Sequence, residues 1–278
     1  SNPTGTSIHP HALRDIHAEV SQRGGVTLID EIYLGLSYDD EFGHTALALD
    51  DQIISINSFS KYFSMTGWRL GWMVVPETLV PVVERLAQNL FICASTVAQH
   101  AALACFEAES MAEYERRRAE FKARRDYFVP ALNALGLNVP VMPDGAFYAW
   151  ADCTQAANKL GVQGSWDFAF EVMNKANLAI TPGRDFGHAD TSRFVRFSTA
   201  RSLPELQAAI GRLQKFWAKP CAPFLNIPFG CIGKTQMPVV SCSTPTTSSS
   251  SSAHAPSGYA RLALANTRCA RKPAACLW

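Results

Sequence analysis

Hydrophobic and polar positions change their period several times along the amino-terminal part of the chain. Residues 10–23 carry Leu13, Ile16 and Val20 at helical spacing, with a proline at the start and two glycines after the end. This pattern predicts an α-helix with these three residues on one face. The apolar runs "VTLID", "QIISIN" and "RLGWMVV" follow and each predicts a strand, the first one buried on both faces. The alternation of helix and strand signals predicts an α/β layer.

The middle of the chain has helical periodicity in "TLVPVVERLAQNLF" and "STVAQHAALACFEAE". A longer stretch then repeats large apolar residues every seven positions, at Tyr114, Phe121, Phe128 and Leu135. The charges between them predict the solvated face of one long amphipathic helix rather than a nucleic-acid-binding patch. Strand patterns return in "AFYAWAD", "LAITPG" and "RFVRFSTA", and "SLPELQAAIGRLQKFWAK" predicts a closing helix.

These patterns predict three regions: part of a large α/β domain at 1–90, connecting helices with a smaller α+β domain at 91–219, and a tail at 220–278. From position 221 onward the chain has no Asp or Glu, five basic residues and the serine run 248–252. That composition predicts a disordered or aberrant tail.

Composition narrows the class of protein. The chain has 278 residues, of which 47% are hydrophobic and 18% are charged, and its formal net charge is +1. These values predict an enzyme with a sizeable core and no nucleic-acid or membrane partner. No basic segment followed by an apolar stretch opens the chain, so we expect no secretory signal. Cys93, Cys105 and Cys153 are scattered and form no C-x-x-C pair, which predicts a reducing cytoplasm and no metal site.

The stretch "INSFSKYFSMTGWRLGW" carries the chemistry. Lys61 follows an apolar strand, and the carboxyl ends of strands in α/β proteins are where ligands bind. A lysine in a partly desolvated site can form a Schiff base with an aldehyde. Ser58 and Ser60 offer hydroxyl donors, and Arg69, between two glycines, offers a forked cation suited to phosphate. An aldehyde, a phosphate and a lysine together indicate pyridoxal phosphate.

This cofactor also needs a carboxylate to keep its ring nitrogen protonated. "LIDEIY" supplies Asp30 at the end of an apolar strand, and Tyr33 follows three residues later. Tyr33 is expected to reach the phenolic oxygen of the ring. "SNPTG" places Asn2 in a turn as a second donor for the same oxygen.

Five motifs now occur in an order that resembles one family: "NPTG", "DEIY", "SFSKYFSMTGWRLG", "PDGAFYAW" and "FVRFSTA". Together they resemble class I/II aminotransferases, the fold-type-I pyridoxal-phosphate enzymes of the aspartate-aminotransferase-like superfamily. The resemblance covers roughly residues 1–218 and implies the carboxyl-terminal part of that large domain plus a smaller α+β domain. It implies Lys61 as the Schiff-base lysine and Arg196 as the residue that binds the substrate α-carboxylate. The other residues bind cofactor: Asn2, Asp30, Tyr33, Ser58, Ser60 and Arg69.

The implied activity is transamination between an amino acid and a 2-keto acid, in a parent enzyme that is a homodimer. A pyridoxal-phosphate lyase or decarboxylase on the same scaffold is the alternative, because the motifs specify cofactor rather than product. Family members carry a long segment before "NPTG", and we expect its absence here to expose an apolar sheet edge. An inactive truncated fragment is therefore a further alternative.

Three of the site residues also have an ordinary structural explanation. Asp30 suits a helix N-cap or a turn, and Tyr33 suits simple packing. Arg196 suits a charge on a sheet edge. Arg193, three residues earlier, is an alternative candidate for binding the carboxylate.

Overall fold

The computed structural model describes residues 1–218 and 274–277, which fall in one compact unit. The tail predicted at 220–278 lies outside the described residues except at 274–277. The described helices and strands are, in chain order, α1 Pro10–Gln22, β1 Leu28–Asp30, β2 Ile54–Ser58, β3 Gly71–Val75, α2 Val80–Leu90, α3 Thr96–Leu103, α4 Ala108–Ala134, β4 Tyr148–Asp152, α5 Thr154–Leu160, α6 Gly164–Ala176, β5 Thr181–Pro182, β6 Phe194–Ser198, α7 Leu203–Ala218 and β7 Ala274–Leu277.

Two sheets organise these elements. The first has the order β1-β2-β3-β7, with β1 parallel to β2 and the other pairs antiparallel. The second has the order β4-β6-β5 and is antiparallel throughout. Strands β1 to β3 lie within the predicted region 1–90, and β4 to β6 lie within 91–219. The division into two domains stays a prediction, because both sheets belong to the same compact unit.

The predicted strands are confirmed in position, but β1 differs in burial. Leu28 in β1 is 55% exposed, so the expectation of a strand buried on both faces is wrong. The reason is that β1 pairs with β2 alone and is the edge of its sheet among the described residues. The segment "LAITPG" forms only the two-residue strand β5, because Pro182 has no N–H to continue a ladder.

The first helix is confirmed, but its apolar face is only partly buried. Leu13 and Val20 are half-buried, whereas Ile16 is 47% exposed. His17 is buried instead, because its ring nitrogens lie 2.8 Å from Thr27 Oγ1 and 3.1 Å from the carboxylate of Asp50. A buried imidazole needs such partners, and they turn this face of α1 inward.

The main core lies where α4, α6 and α7 pack with the second sheet. Among its fully buried side chains are Leu132, Phe168, Val195 and Leu213. The predicted solvated face of α4 is confirmed where Arg117 pairs with Glu113 and Arg124 with Glu120, each one turn away. It is wrong for Arg125, whose side chain is buried and donates to Pro143 O.

A second, smaller core of Phe59, Met65, Leu70, Ala98, Ala102 and Cys105 lies directly behind the lysine motif. No helix within the described part of the chain is long and apolar enough to cross a membrane.

Candidate active site

Because β1 and β2 are parallel, Asp30 and Lys61 lie near the same edge of the first sheet. Asp30 is the last residue of β1 and lies opposite Ile56, two residues before β2 ends at Ser58. The chain then turns tightly, because Met65 N donates to Phe59 O at 2.9 Å and Ser64 N donates to Lys61 O at 3.0 Å. The buried Phe59 anchors this turn in the smaller core. Lys61 is thereby fixed at the carboxyl edge of the sheet, as the sequence predicts.

Four of the predicted residues line one cavity of about 560 Å³: Asn2, Asp30, Tyr33 and Lys61. We call it the lysine cavity. The Lys61 Nζ atom lies 5.8 Å from the ring centroids of both Tyr33 and Phe147. The amine is therefore half-buried beside two aromatic faces, in surroundings that are less polar than water.

Asp30 combines its turn role with its place in the lysine cavity. One carboxylate oxygen, Oδ1, accepts a hydrogen bond from the backbone N–H of Ile32 at 3.0 Å. The turn interpretation of Asp30 is thus confirmed. It does not compete with a binding role, because the exposed carboxylate also lines the cavity.

Tyr33 is more than a packing residue. Its hydroxyl lies 3.0 Å from the hydroxyl of Tyr148. Burial raises the pKa of Tyr33 above its ordinary value, and the neighbouring Tyr148 hydroxyl raises this pKa further. The phenol of Tyr33 therefore stays neutral over the ordinary pH range and keeps a proton to donate.

The three residues predicted to bind phosphate line a second cavity of about 530 Å³: Ser58, Ser60 and Arg69. We call it the arginine cavity. Ser58 Oγ accepts a hydrogen bond from Ser60 N at 3.0 Å, and Arg69 Nη1 donates to Thr66 O at 3.0 Å. The structure therefore divides the predicted cofactor residues between two cavities, and the chain passes from one to the other between Ser60 and Lys61.

Arg69 also has an unusual backbone conformation. Its φ of 55° and ψ of 51° lie in the left-handed region, where non-glycine residues are uncommon. Such strain is often found at functional sites, and here it directs an exposed guanidinium towards the arginine cavity.

Arg196 lies in the middle of β6, opposite Trp150 of β4 and Thr181 of β5. Its Nη1 donates to Asn2 Oδ1 at 2.7 Å, and its Nη2 donates to Thr181 Oγ1 at 3.3 Å. Its Nε is buried and has no hydrogen-bond partner among the residues that the structure describes. A buried donor without a partner is costly, so this N–H is an unsatisfied donor within the candidate site.

Arg193, the alternative candidate, has carboxylate partners already. Its Nη1 donates to Asp152 at 2.8 Å and its Nε donates to Asp190 at 2.7 Å. The hydrogen bonds of the two arginines favour Arg196 over Arg193, because the guanidinium of Arg196 contacts Asn2 and has an Nε–H donor without a partner in the described structure.

Three residues at the site have no role in the sequence prediction. Tyr148 and Phe186 both pack against Arg196, with ring centroids 4.5 and 4.9 Å from its Cζ. Glu31 is buried beside Asp30 and accepts hydrogen bonds from several donors. The motif "PDGAFYAW" contains Tyr148 and is the signal that was available for it. Phe186 lies in the segment "GRDFG" at 183–187, whose sequence contains no pattern that assigns a role to this phenylalanine.

A strand-end lysine beside a carboxylate and a tyrosine, on an α/β scaffold with an arginine held nearby, is typical of enzymes that bind an aldehyde cofactor. Comparison with known proteins identifies the family. A family profile described as "Aminotransferase class I and II" matches residues 1–213. The chain belongs to this family, and the predicted resemblance is confirmed.

Individual relatives agree with this assignment. A valine–pyruvate aminotransferase of Mycobacterium tuberculosis is 36% identical over 216 residues, which cover 77% of this chain and 54% of the relative. An aspartate aminotransferase of a Bacillus species is 32% identical over 221 residues, covering 78% and 55%. The crystal structure of an aminotransferase from Mycobacterium tuberculosis matches with a TM-score of 0.72 at 33% identity, covering 78% of this chain and 55% of that one. The fold class is thus confirmed, and the chain spans about half the length of the relatives it matches.

Proposed function

We propose that this chain is part of a pyridoxal-phosphate-dependent aminotransferase that moves an amino group from an amino acid to a 2-keto acid. One observation carries the proposal: the lysine cavity holds Lys61, Asp30, Tyr33 and Asn2 together, and Asn2 is bonded to Arg196. An amine, a carboxylate, a neutral phenol and a guanidinium are the groups that this chemistry needs.

The donor set of the lysine cavity fits the ring of pyridoxal phosphate. Lys61 supplies a primary amine for the aldehyde, and Asp30 supplies a carboxylate for a protonated ring nitrogen. The neutral Tyr33 can donate to the ring oxygen. Asn2 uses its carbonyl oxygen to accept from Arg196, which leaves its side-chain NH₂ group available to donate to the same oxygen.

The arginine cavity fits a phosphate group by its chemistry. Arg69 provides a planar cation with several donors, and the hydroxyls of Ser58 and Ser60 provide neutral donors. Ser58 is the last residue of β2, Ser60 lies directly before Lys61, and Arg69 lies just before β3. The phosphate role of all three residues is supported by this donor set and by the order of the motifs.

Arg196 fits the α-carboxylate of an amino acid. A guanidinium binds a carboxylate through two parallel N–H donors. The buried Nε of Arg196 provides one donor without a partner in the described structure. An Nη group has a second hydrogen available, because each Nη carries two and bonds one acceptor here.

Lys61, Asp30 and Arg196 each have a separate role in the proposed reaction. When bound, pyridoxal phosphate supplies an electron-withdrawing ring that accepts the electron pair left by the departing α-proton. The freed amine of Lys61 takes up this proton as general base. The carboxylate of Asp30 balances the positive charge on the ring nitrogen, and Arg196 holds the amino acid by its carboxylate. A homodimer and a cytoplasmic location complete the proposal as predictions from the family resemblance and from the cysteine pattern.

The first experiment tests covalent attachment at Lys61. The chain is incubated with pyridoxal phosphate, reduced with borohydride, digested and analysed by mass spectrometry. We expect the pyridoxyl mass on the peptide that contains Lys61. Lys61→Ala should remove this label, and the matched control Lys122→Ala, which changes an exposed lysine of α4, should keep it.

The products then separate the two enzyme classes. Transamination gives a new amino acid and a new keto acid, whereas a decarboxylase gives carbon dioxide and a lyase gives elimination products. Equal labelling of Lys61 and Lys122 would indicate nonspecific modification and contradict the proposed site.

A further inference from the structure

We propose that Tyr148 is a positioning residue that joins the two ends of the candidate site. Its ring and the ring of Phe186 both contact the guanidinium of Arg196, and its hydroxyl is hydrogen-bonded to the hydroxyl of Tyr33. This inference rests on the proposed function, because it assigns Tyr148 a role in orienting the carboxylate-binding arginine and the cofactor-facing tyrosine together.

The ring contacts form what we call the aromatic clamp, defined by Tyr148 and Phe186. The Cζ atom of Arg196 lies 4.5 Å from the ring centroid of Tyr148 and 4.9 Å from that of Phe186. Both distances are within the range of cation–π attraction. Trp150 supports the clamp by packing edge-on against Phe186, with ring centroids 5.4 Å apart.

The backbone around the clamp is constrained as well. Arg196 and Trp150 are paired between β6 and β4, so the register of two strands sets their spacing. The turn that carries Phe186 begins at Gly183, where a Cβ atom would lie 1.9 Å from Thr191 O. Only glycine fits there, and the backbone N–H of Gly183 also donates a hydrogen bond to Ser165 Oγ at 3.1 Å.

The hydroxyl of Tyr148 provides the second half of the link. It lies 3.0 Å from the Tyr33 hydroxyl, and the Tyr33 ring is one of the two aromatic faces beside Lys61 Nζ. The buried Tyr148 thus contacts the carboxylate-binding end through its ring and the lysine end through its oxygen. The raised pKa of Tyr33 agrees with this pairing, since Tyr148 contributes to it after burial.

The clamp has a physical consequence for binding. A guanidinium held by contacts with two rings loses less side-chain entropy when a carboxylate binds. It is also shielded from water, so its attraction to a carboxylate is stronger than at an exposed site. Loss of one ring should therefore weaken carboxylate binding by about 2- to 30-fold, which is the range of a single cation–π contact.

Two substitutions separate the ring from the hydroxyl. Tyr148→Phe keeps the clamp and removes the link to Tyr33, whereas Tyr148→Leu removes both. Phe186→Leu removes only the other ring and serves as a second test if Tyr148→Leu does not fold. Phe170→Leu is the control, because it removes an exposed aromatic ring of α6 that packs on Trp166.

The readout is nuclear magnetic resonance of the chain without cofactor. The Arg196 Nε–H signal is assigned by its loss in Arg196→Lys, and its exchange with water and its response to added pyruvate are measured. We expect exchange to rise at least about tenfold in Tyr148→Leu and Phe186→Leu, and to change less than about twofold in Tyr148→Phe and Phe170→Leu. Tyr148→Phe should instead shift the Tyr33 ring carbon signal, assigned with Tyr33→Phe.

Two results would overturn the inference. One is unchanged exchange at Arg196 when either ring of the clamp is removed, and the other is an unchanged Tyr33 signal in Tyr148→Phe. Failure of the proposed function gives a different result: pyruvate then leaves the Arg196 signal of the unsubstituted chain unchanged, while the exchange measurements still report on the clamp.

Discussion

Asp30 shows how one side chain supports both local structure and proposed chemistry. Its Oδ1 accepts the Ile32 backbone N–H at 3.0 Å, and the carboxylate lines the lysine cavity. The turn needs only an oxygen acceptor, which an asparagine also provides. A protonated ring nitrogen needs the negative charge. The two tasks can therefore be separated by a substitution that changes charge and keeps shape.

We expect Asp30→Asn to fold normally and to bind pyridoxal phosphate with an affinity about 10- to 100-fold lower. The reason is that a hydrogen bond to a charged group contributes about 1.5–3 kcal/mol. Equilibrium dialysis at several cofactor concentrations measures this change. Asp51→Asn, on an exposed loop, is the matched control and should bind like the unsubstituted chain. Equal cofactor affinity in Asp30→Asn and the control would remove Asp30 from the site.

At the residue scale, local motifs predicted Lys61, Asp30 and Tyr33 because each lies at or just after a strand end that an apolar run reveals. Tyr148 and Phe186 were not predictable in this way. Their relation to Arg196 depends on the pairing of β4 with β6 and on the turn at Gly183. The sequence shows the members of such a clamp but not which strands bring them together.

At the element scale, Glu31 connects three segments around the lysine cavity. Its carboxylate accepts from Ala46 N at 2.6 Å, from Thr45 Oγ1 at 2.9 Å and from Ser55 Oγ at 2.7 Å. Asn57 Nδ2 donates to the same carboxylate at 3.3 Å. These bonds join the end of β1, the segment at 45–46 and the strand β2. A buried carboxylate with this many donors holds the edge of the sheet in place.

Glu31→Gln should lower the free energy of unfolding by about 1–3 kcal/mol, because one acceptor oxygen becomes a donor and faces donors that it cannot satisfy. Urea denaturation followed by circular dichroism measures the change. Glu41→Gln affects an exposed carboxylate that accepts from His9 at 2.7 Å, so its effect should stay below about 1 kcal/mol. If both variants unfold alike, Glu31 does not hold these segments.

Element positions were largely predictable, and the departures have simple causes. The period of α4 and the apolar runs of β2 and β3 identified these elements. The burial of β1 was not predictable, because an apolar run does not say whether a sheet continues beyond it. The inward side of α1 was set by His17, whose partners Thr27 and Asp50 are distant in sequence and bond both ring nitrogens.

At the scale of the whole molecule, an apolar helix face is open to solvent. Val82, Leu86 and Leu90 recur every four residues on α2 and are 53%, 54% and 76% exposed. We call this the α2 face. No residue of α2 is buried in the described structure. An amphipathic helix with its apolar stripe exposed to solvent is unusual for a monomeric protein.

We therefore expect the chain to self-associate with increasing concentration, through a surface that includes the α2 face. Replacing Leu86 and Leu90 together by glutamine removes the most exposed part of this stripe, and it should weaken association at least about tenfold, since each buried leucine contributes about 1.5–3 kcal/mol. Sedimentation velocity over a hundredfold range of concentration measures the effect. Glu84→Gln, at an exposed polar position of the same helix, is the control. If the double variant associates as strongly as the unsubstituted chain, the contact lies elsewhere. If the unsubstituted chain stays monomeric at every concentration, exposure of the α2 face does not drive assembly.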